Sequence, residues 1–238
     1  MKLDILAFAA HPDDVELAAS GTVIKHIKRG KKVGIIDLTR GELGTRGTAD
    51  IRNQEAADSA KILGISVRHN LDLGDGFFEI NEDSLKAVIT MIRLYQPKVI
   101  LCNSVSDRHP DHGRGGDLVS RAVFLSGLCK IETYFQGNIQ EAHRPVAIYR
   151  FIQDHWIQPD IIIDITSEMD QKLESIKAFS SQFYDPKSNE PITPISSPEF
   201  MQFIDARARQ FGRLINTTYG EGFNIERPIG VEDLTELL

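Results

Sequence analysis

The stretch Ile5-Leu6-Ala7-Phe8-Ala9-Ala10, followed at once by His11-Pro12-Asp13-Asp14, decides how this 238-residue chain folds. Six consecutive apolar residues are typical of a short strand that is buried on both faces of a sheet. The run stops at His11-Pro12, and a helix-like segment continues to Arg29, with Gly30 in the position where helices often end. The N-terminal region therefore predicts a buried strand, a polar turn and a helix.

The same alternation of apolar strands and helices continues along the chain. Further strands are predicted at residues 33–39, 67–72, 99–103, 146–151 and 161–165. Helices are predicted at residues 51–63, 84–95, 117–125, 168–180 and 198–215, and an exposed loop at residues 185–191. Strands that alternate with helices indicate an α/β fold with a mainly parallel sheet, and the length favours a single domain over residues 1–238.

The composition narrows the class of protein. Hydrophobic residues make up 41% and charged residues 26% of the chain, which is ordinary for a globular protein. The net charge of -7 argues against electrostatic binding to nucleic acid or to an anionic membrane. The first residues are interrupted too soon for a signal peptide, and no apolar stretch approaches the ~20 residues that span a bilayer. We therefore expect a cytoplasmic protein.

Two runs rich in histidine and aspartate each follow a predicted strand. They are Ala10-His11-Pro12-Asp13-Asp14-Val15-Glu16 and Asp107-Arg108-His109-Pro110-Asp111-His112. Ligands of parallel sheets bind at the carboxyl ends of strands, so we expect both runs at one site. Together the runs supply two imidazoles and a carboxylate to one metal ion and leave an aspartate and a histidine for proton transfer. That is the minimal equipment of a zinc hydrolase.

Each run alone also has a structural interpretation. His-Pro-Asp sequences occur in surface turns, and a pair of aspartates before a helix favours its N-terminus. The position of both runs at strand ends favours the functional interpretation over the structural one. The donor types suit Zn(II), although Fe(II) or Co(II) also binds such a set.

With these two runs, the chain resembles the LmbE-like (PIG-L) superfamily of zinc-dependent N-acetylglucosaminyl de-N-acetylases. The similarity extends through residues 39–42, 52–57 and 177–183 and through the tail at 219–231. The tail looks like the branch that deacetylates N-acetylglucosaminyl-malate in bacillithiol biosynthesis. The resemblance implies a three-layer α/β/α Rossmann-like fold with the metal site at the carboxyl ends of the strands. It also implies a homo-oligomer, because members of the family are often hexameric or otherwise oligomeric.

The resemblance assigns a metal site and a general base. His11, Asp14 and His112 would be the protein ligands of one Zn(II) per subunit. Asp13 would take a proton from the attacking water. A carboxylate beside a ligand carboxylate is an unusual concentration of negative charge, which a divalent cation offsets.

Four further residues receive roles from the same resemblance. His109 would stabilise the tetrahedral oxyanion and protonate the leaving amine, and Asp111 would orient the ring of His109. Malate brings two carboxylates, and guanidinium groups bind carboxylates through paired hydrogen bonds. We therefore expect Arg52 and Arg108 to bind the substrate.

Three alternatives remain open from the sequence. A deacetylase or amidase of another conjugate (a chito-oligosaccharide, an inositol glycoside or a thiol conjugate) shares this chemistry and differs in the pocket. A two-metal phosphoesterase needs more bridging carboxylates than these runs clearly offer. A non-catalytic sugar- or nucleotide-binding module has only the glycine-rich loop at residues 41–47 for a phosphate, since neither G-x-G-x-x-G after the first strand nor G-x-x-x-x-G-K-[ST] occurs.

Overall fold

A computed structural model describes residues 1–183, 188–233 and 235 of the chain. The strands are β1 (Ile5–Ala9), β2 (Val33–Asp37), β3 (Val67–Asn70), β4 (Val99–Cys102), β5 (Tyr134–Phe135), β6 (Asn138–Ile139), β7 (Ala147–Phe151), β8 (Ile161–Asp164) and β9 (Gly220–Ile225). The helices are α1 (Asp14–Lys28), α2 (Ala49–Leu63), α3 (Glu82–Tyr95), α4 (Pro110–Ser126), α5 (Met169–Lys177) and α6 (Phe200–Leu214), with a 3₁₀ turn at Thr166–Glu168 before α5.

The main sheet is mostly parallel, as the alternation predicts. Within the described residues it holds seven strands in the order β3-β2-β1-β4-β7-β9-β8. The first five strands run parallel to one another, whereas β9 pairs antiparallel with both β7 and β8. The short strands β5 and β6 form a separate hairpin. The predicted α/β fold class is therefore confirmed.

Strand β1 lies at the centre of three layers. Leu6 and Phe8 pack on one face of the sheet with side chains of α3 and α4. Ile5 and Ala7 pack on the other face, against α1. All five residues of β1 are buried because successive side chains of a strand point to opposite faces and helices cover both.

Helix α4 begins at Pro110, seven residues before the predicted start at 117. Its first turns contain Gly113, Gly115 and Gly116, which weaken a helical pattern in the sequence. Gly116 is needed for packing, since a Cβ there would lie 2.7 Å from the backbone oxygen of Asn103 at the end of β4. The second His/Asp run therefore lies on the first turn of a helix that packs closely on the sheet.

The sequence did not predict strand β9. Two of its six residues are glycines, and glycine weakens the pattern by which strands are recognised. A Cβ on Gly222 would lie 2.8 Å from the ring of Phe211 in α6, so the glycine permits this helix to approach the sheet.

Two other expectations concern segments outside the sheet. Of the predicted exposed loop at 185–191, residues 185–187 lie outside the described residues, and residues 188–191 carry no helix or strand. Among the described residues, no helix combines the length and the apolar character needed to cross a membrane.

Candidate metal centre and active site

The two His/Asp runs meet in one cavity of about 380 Å³ at the carboxyl ends of β1 and β4. One nitrogen from each of His11, His109 and His112 lies within 4.8 Å of the others. His11 follows β1 directly, and the other two histidines lie at the start of α4. Residues that are about 100 positions apart in the sequence thus share one site, because β1 and β4 are parallel neighbours.

Asp14 faces one nitrogen of each of two imidazoles. Its Oδ1 lies 3.2 Å from Nε2 of His112, and its Oδ2 lies 3.7 Å from Nδ1 of His11. The remaining nitrogen of each ring is held by an outer carboxylate: Asp107 lies 2.6 Å from Nδ1 of His112, and Asp75 lies 3.0 Å from Nε2 of His11. Histidine ligands of metal ions show this arrangement, in which a carboxylate fixes the ring and its tautomer.

Electrostatics at this donor set favour a cation. Burial lowers the pKa of His112, but Asp14 and Asp107 more than compensate and raise it to about 10. Burial likewise opposes charge on His11, whose pKa the carboxylates of Asp111, Asp75 and Asp14 raise to about 9. A metal ion binds neutral imidazole and replaces such protons. Two imidazoles and one carboxylate therefore fit a divalent ion such as Zn(II).

Asp13 lies in the turn between β1 and α1 with a φ of 117°, a left-handed conformation that residues other than glycine rarely adopt. Strained backbone of this kind concentrates at functional sites. The side chain lines the cavity beside Asp14, and Nη2 of Arg52 donates to its Oδ2 over 3.0 Å. Burial raises the pKa of Asp13 to about 7, although the charge of Arg52 opposes this. The geometry presents a proton-accepting carboxylate next to the donor set.

His109 is the N-cap of α4. Its Nδ1 accepts a hydrogen bond from the backbone N–H of Asp111 over 3.2 Å, so its proton in the neutral form belongs on Nε2. Burial and the positive charges of His11 and His112 lower the pKa of His109. The ring is thus a neutral hydrogen-bond donor in the wall of the cavity.

The expected contact between the Asp111 carboxylate and the His109 ring differs from the one in the structure. The carboxylate of Asp111 instead accepts from the backbone N–H of Gly76 and from Arg114, both over 2.8 Å. It also lies 3.5 Å from Nε2 of His11. The physical reason is the helix start. As the N-cap residue, His109 uses its Nδ1 to accept the backbone N–H of Asp111, so the carboxylate of Asp111 is available to other partners.

Comparison with known proteins identifies the family. Residues 6–123 match the family model described as PIG-L: GlcNAc-PI de-N-acetylase. The crystal structure of a conserved protein from Thermus thermophilus superposes with a TM-score of 0.86 at 30% identity, covering 98% of each chain. The chain belongs to the PIG-L family.

Curated relatives of this PIG-L protein include deacetylases of amino-sugar conjugates. Diacetylchitobiose deacetylase of Thermococcus kodakarensis is 27% identical over 92% of the chain and 81% of the relative. The probable N-acetyl-alpha-D-glucosaminyl L-malate deacetylase 2 of Bacillus cereus is 26% identical over 76% of the chain and 84% of the relative. The chain is thus a hydrolase of the N-deacetylase class.

The two arginines expected to bind substrate lie in different settings. Arg52 is buried, and its guanidinium donates hydrogen bonds to Asp13 and to the backbone oxygens of Pro12 and Gly41. Its Nε is buried without a hydrogen-bond partner among the described residues. Arg108 is half-exposed and pairs with Asp154 over 2.9 Å. Both line the cavity, Arg52 beside the donor set and Arg108 beside Asp154.

Sequence reasoning assigned no role to four polar residues that lie around the candidate donor set. Asn103 at the end of β4 donates to Oδ2 of Asp14, and Gln153 after β7 donates to Oδ1, both over 2.9 Å. Asp75 and Asp107 hold the two imidazoles. Asn103 and Gln153 lie one and two residues beyond the carboxyl ends of β4 and β7, and that position was the available signal for them. Asp75 and Asp107 lie five residues beyond the ends of β3 and β4.

Proposed function

We propose that this deacetylase hydrolyses the acetamide of an N-acetylglucosamine conjugate with an acidic aglycone, N-acetylglucosaminyl-malate in bacillithiol biosynthesis. The observation that carries the proposal is one cavity in which Asp13 and His109 flank a two-histidine, one-aspartate donor set. A volume of about 380 Å³ falls within the ~300–1,000 Å³ of small-molecule sites. The products are the free amine and acetate.

His11, Asp14 and His112 would hold the metal ion. The chemistry that Zn(II) supplies in such a set is Lewis acidity, which polarises a carbonyl oxygen and makes water more acidic. Asn103 and Gln153 hold both oxygens of Asp14 by hydrogen bonds, so the carboxylate is oriented before any ligand arrives.

Asp13 and His109 would move the protons. An oxygen of Asp13 accepts a proton from water as the water oxygen attacks the acetyl carbon. Arg52 keeps the carboxylate of Asp13 in place during this transfer. Nε2–H of His109 donates a hydrogen bond to the oxyanion, and His109 would protonate the nitrogen as the C–N bond breaks, while the proton held by Asp13 replaces the one that the ring gives up. The proton taken from water thus reaches the departing amine, and no further acid is required.

Three observations support an acidic aglycone. The tail at residues 219–231 resembles the malate-specific branch, and the Bacillus cereus relative bears that activity in its name. Arg108 lines the same cavity as the donor set, with its guanidinium beside Asp154. A guanidinium at this position favours a carboxylate over a neutral group.

A substrate panel with quantified metal tests the proposal. Amine release would be measured for N-acetylglucosaminyl-malate, diacetylchitobiose, N-acetylglucosamine and an N-acetylglucosaminyl inositol, with phosphate release from an aryl phosphate as the control for a phosphoesterase. We expect the largest kcat/KM for the malate conjugate and one Zn(II) per chain by elemental analysis. A larger kcat/KM for a neutral conjugate would refute the acidic aglycone.

We also propose that the enzyme works in the cytoplasm as a homo-oligomer. Phe124 and Val146 are 60% and 64% exposed, which suits surfaces that a second copy covers. Light scattering of the purified protein tests the assembly, and a monomer at micromolar concentration would contradict it.

A further inference from the structure

A second arginine lies in the cavity wall near Arg108. Arg207 projects from α6 and packs its guanidinium on the ring of Phe203, 4.8 Å from the ring centroid. Its Nη1 donates to the backbone oxygens of Gln153 and of His155, and its Nη2 donates to that of Asp154. All its hydrogen-bond acceptors in the described residues are thus neutral carbonyl groups.

The N–H groups of Arg207 are only partly used by the described residues. Asp154 accepts a hydrogen bond from Nε of Arg108, and no carboxylate among the described residues lies within ion-pair distance of Arg207. A guanidinium has five N–H donors, and three of those on Arg207 point at carbonyl oxygens. Two donors remain without an acceptor among the described residues, and the negative charges of Asp154 and Asp107 act on the guanidinium only from beyond ion-pair distance.

The surroundings of Arg207 strengthen the attraction of its guanidinium for a carboxylate. Arg207 is half-buried, and Ile195, Phe200 and Phe203 line the cavity around it. Apolar walls weaken the screening of a charge by water, so a carboxylate that enters binds more strongly than at an open surface. The pKa of Arg207 is lowered by burial, yet an arginine side chain stays protonated in proteins.

We propose that Arg207 and Arg108 form a carboxylate subsite that receives the acidic aglycone of the substrate. The inference rests on the proposed function and deepens it by naming Arg207 as a specificity-determining residue. A planar guanidinium with free N–H groups matches a carboxylate through paired hydrogen bonds. Arg52 is held on Asp13 and is not required for this role.

Arg207 also has a structural contact that the test must separate from anion binding. It holds the backbone of residues 153–155, and the side chain of Gln153 donates to the ligand Asp14. If Arg207 served only to clamp this segment, its loss would disturb Asp14 and slow the deacetylation of every substrate. Binding of a carboxylate instead affects only substrates that carry one.

The experiment compares an acidic with a neutral substrate in the Zn(II)-loaded enzyme. For Arg207→Gln we expect KM for N-acetylglucosaminyl-malate to rise about 10- to 100-fold, the scale of one charge-assisted hydrogen-bond pair. KM and kcat for methyl N-acetylglucosaminide should change less than about threefold. Arg207→Lys keeps the charge without the planar fork and should give an intermediate KM for the acidic conjugate.

A matched control comes from the same helix. Arg209 is exposed and pairs with Asp205, so Arg209→Gln should leave both substrates unchanged. If Arg207→Gln impaired turnover of both substrates equally, or of neither, the carboxylate subsite would be refuted. The proposed deacetylase function would still stand. If wild-type enzyme releases no amine from either conjugate, the proposed function fails and the subsite fails with it.

Discussion

Arg52 donates a hydrogen bond from Nη2 to Oδ2 of Asp13 over 3.0 Å, and each of the two residues is only 5% exposed. The arginine comes from the first turns of α2, whereas the aspartate lies in the turn before α1. A buried carboxylate is stable as an anion when a cation or hydrogen-bond donors hold it. The pair therefore favours the ionised form of Asp13 and orients it without removing its second oxygen from the reaction.

Arg52→Lys should lower kcat by about 10- to 100-fold, with little change in KM for the malate conjugate. Lysine carries the charge but lacks the fork that also binds the backbone oxygens of Pro12 and Gly41, so Asp13 loses its fixed position. Steady-state kinetics separates the two constants. The exposed Arg40, paired with Asp72, gives the control Arg40→Lys. A rise in KM at constant kcat would instead make Arg52 a substrate anchor.

Asp107→Asn should weaken Zn(II) binding by about 10- to 100-fold, because the carboxylate that holds Nδ1 of His112 is lost. Competition with a chromophoric chelator measures the affinity on metal-free protein. Asp58→Asn changes an exposed carboxylate of α2 and serves as the control. Unchanged affinity in Asp107→Asn would show that this outer carboxylate does not support the metal site.

Lys172→Met should reduce the free energy of unfolding by about 3–5 kcal/mol, the cost of leaving a buried charge unpaired. Lys172 is 2% exposed and donates to Oε1 of Glu221 over 2.8 Å, as well as to two backbone oxygens of α1. Urea denaturation measures the change. Lys61→Met removes an exposed ion pair and should cost at most about 1 kcal/mol. Equal costs for both variants would contradict the buried-pair account.

Adding Glu221→Gln to Lys172→Met should recover part of the lost stability. The double variant no longer buries an unpaired carboxylate, and the glutamine oxygen can still accept from one of the two N–H groups, those of Gly21 and Thr22, that bind the separate oxygens of Glu221. A double-mutant cycle from the same denaturation curves gives the interaction energy. Purely additive losses would show that the two side chains act independently.

The sequence was sufficient for the parallel strands of the sheet and for bringing the two His/Asp runs together. Apolar runs such as residues 5–10 identify strands buried on both faces, and the strand-end rule brings His11 and His112 to one edge. It was insufficient where tertiary packing decides local structure. Gly116 and Gly222 allow helices to pack closely against the sheet. Such glycines weaken the sequence patterns of helices and strands, so the start of α4 and the strand β9 were not predicted.

Contacts between side chains were the feature hardest to predict from the sequence. Asp111 was expected on the ring of His109 but binds Gly76 and Arg114. Arg207 lies 99 residues after Arg108 in the chain, and no local pattern links the two. Their common contact with the segment at 153–155 depends on how α6 packs beside the sheet. Such partners are set by the three-dimensional fold.

The most direct test of the account is Asp13→Asn in the Zn(II)-loaded enzyme, with metal content and amine release measured on the same sample. We predict that kcat falls by about 10²- to 10⁴-fold while one Zn(II) per chain is retained, because the variant loses the proton acceptor and keeps His11, Asp14 and His112. Turnover near the wild-type rate with Zn(II) bound would contradict the assignment of Asp13 as the general base.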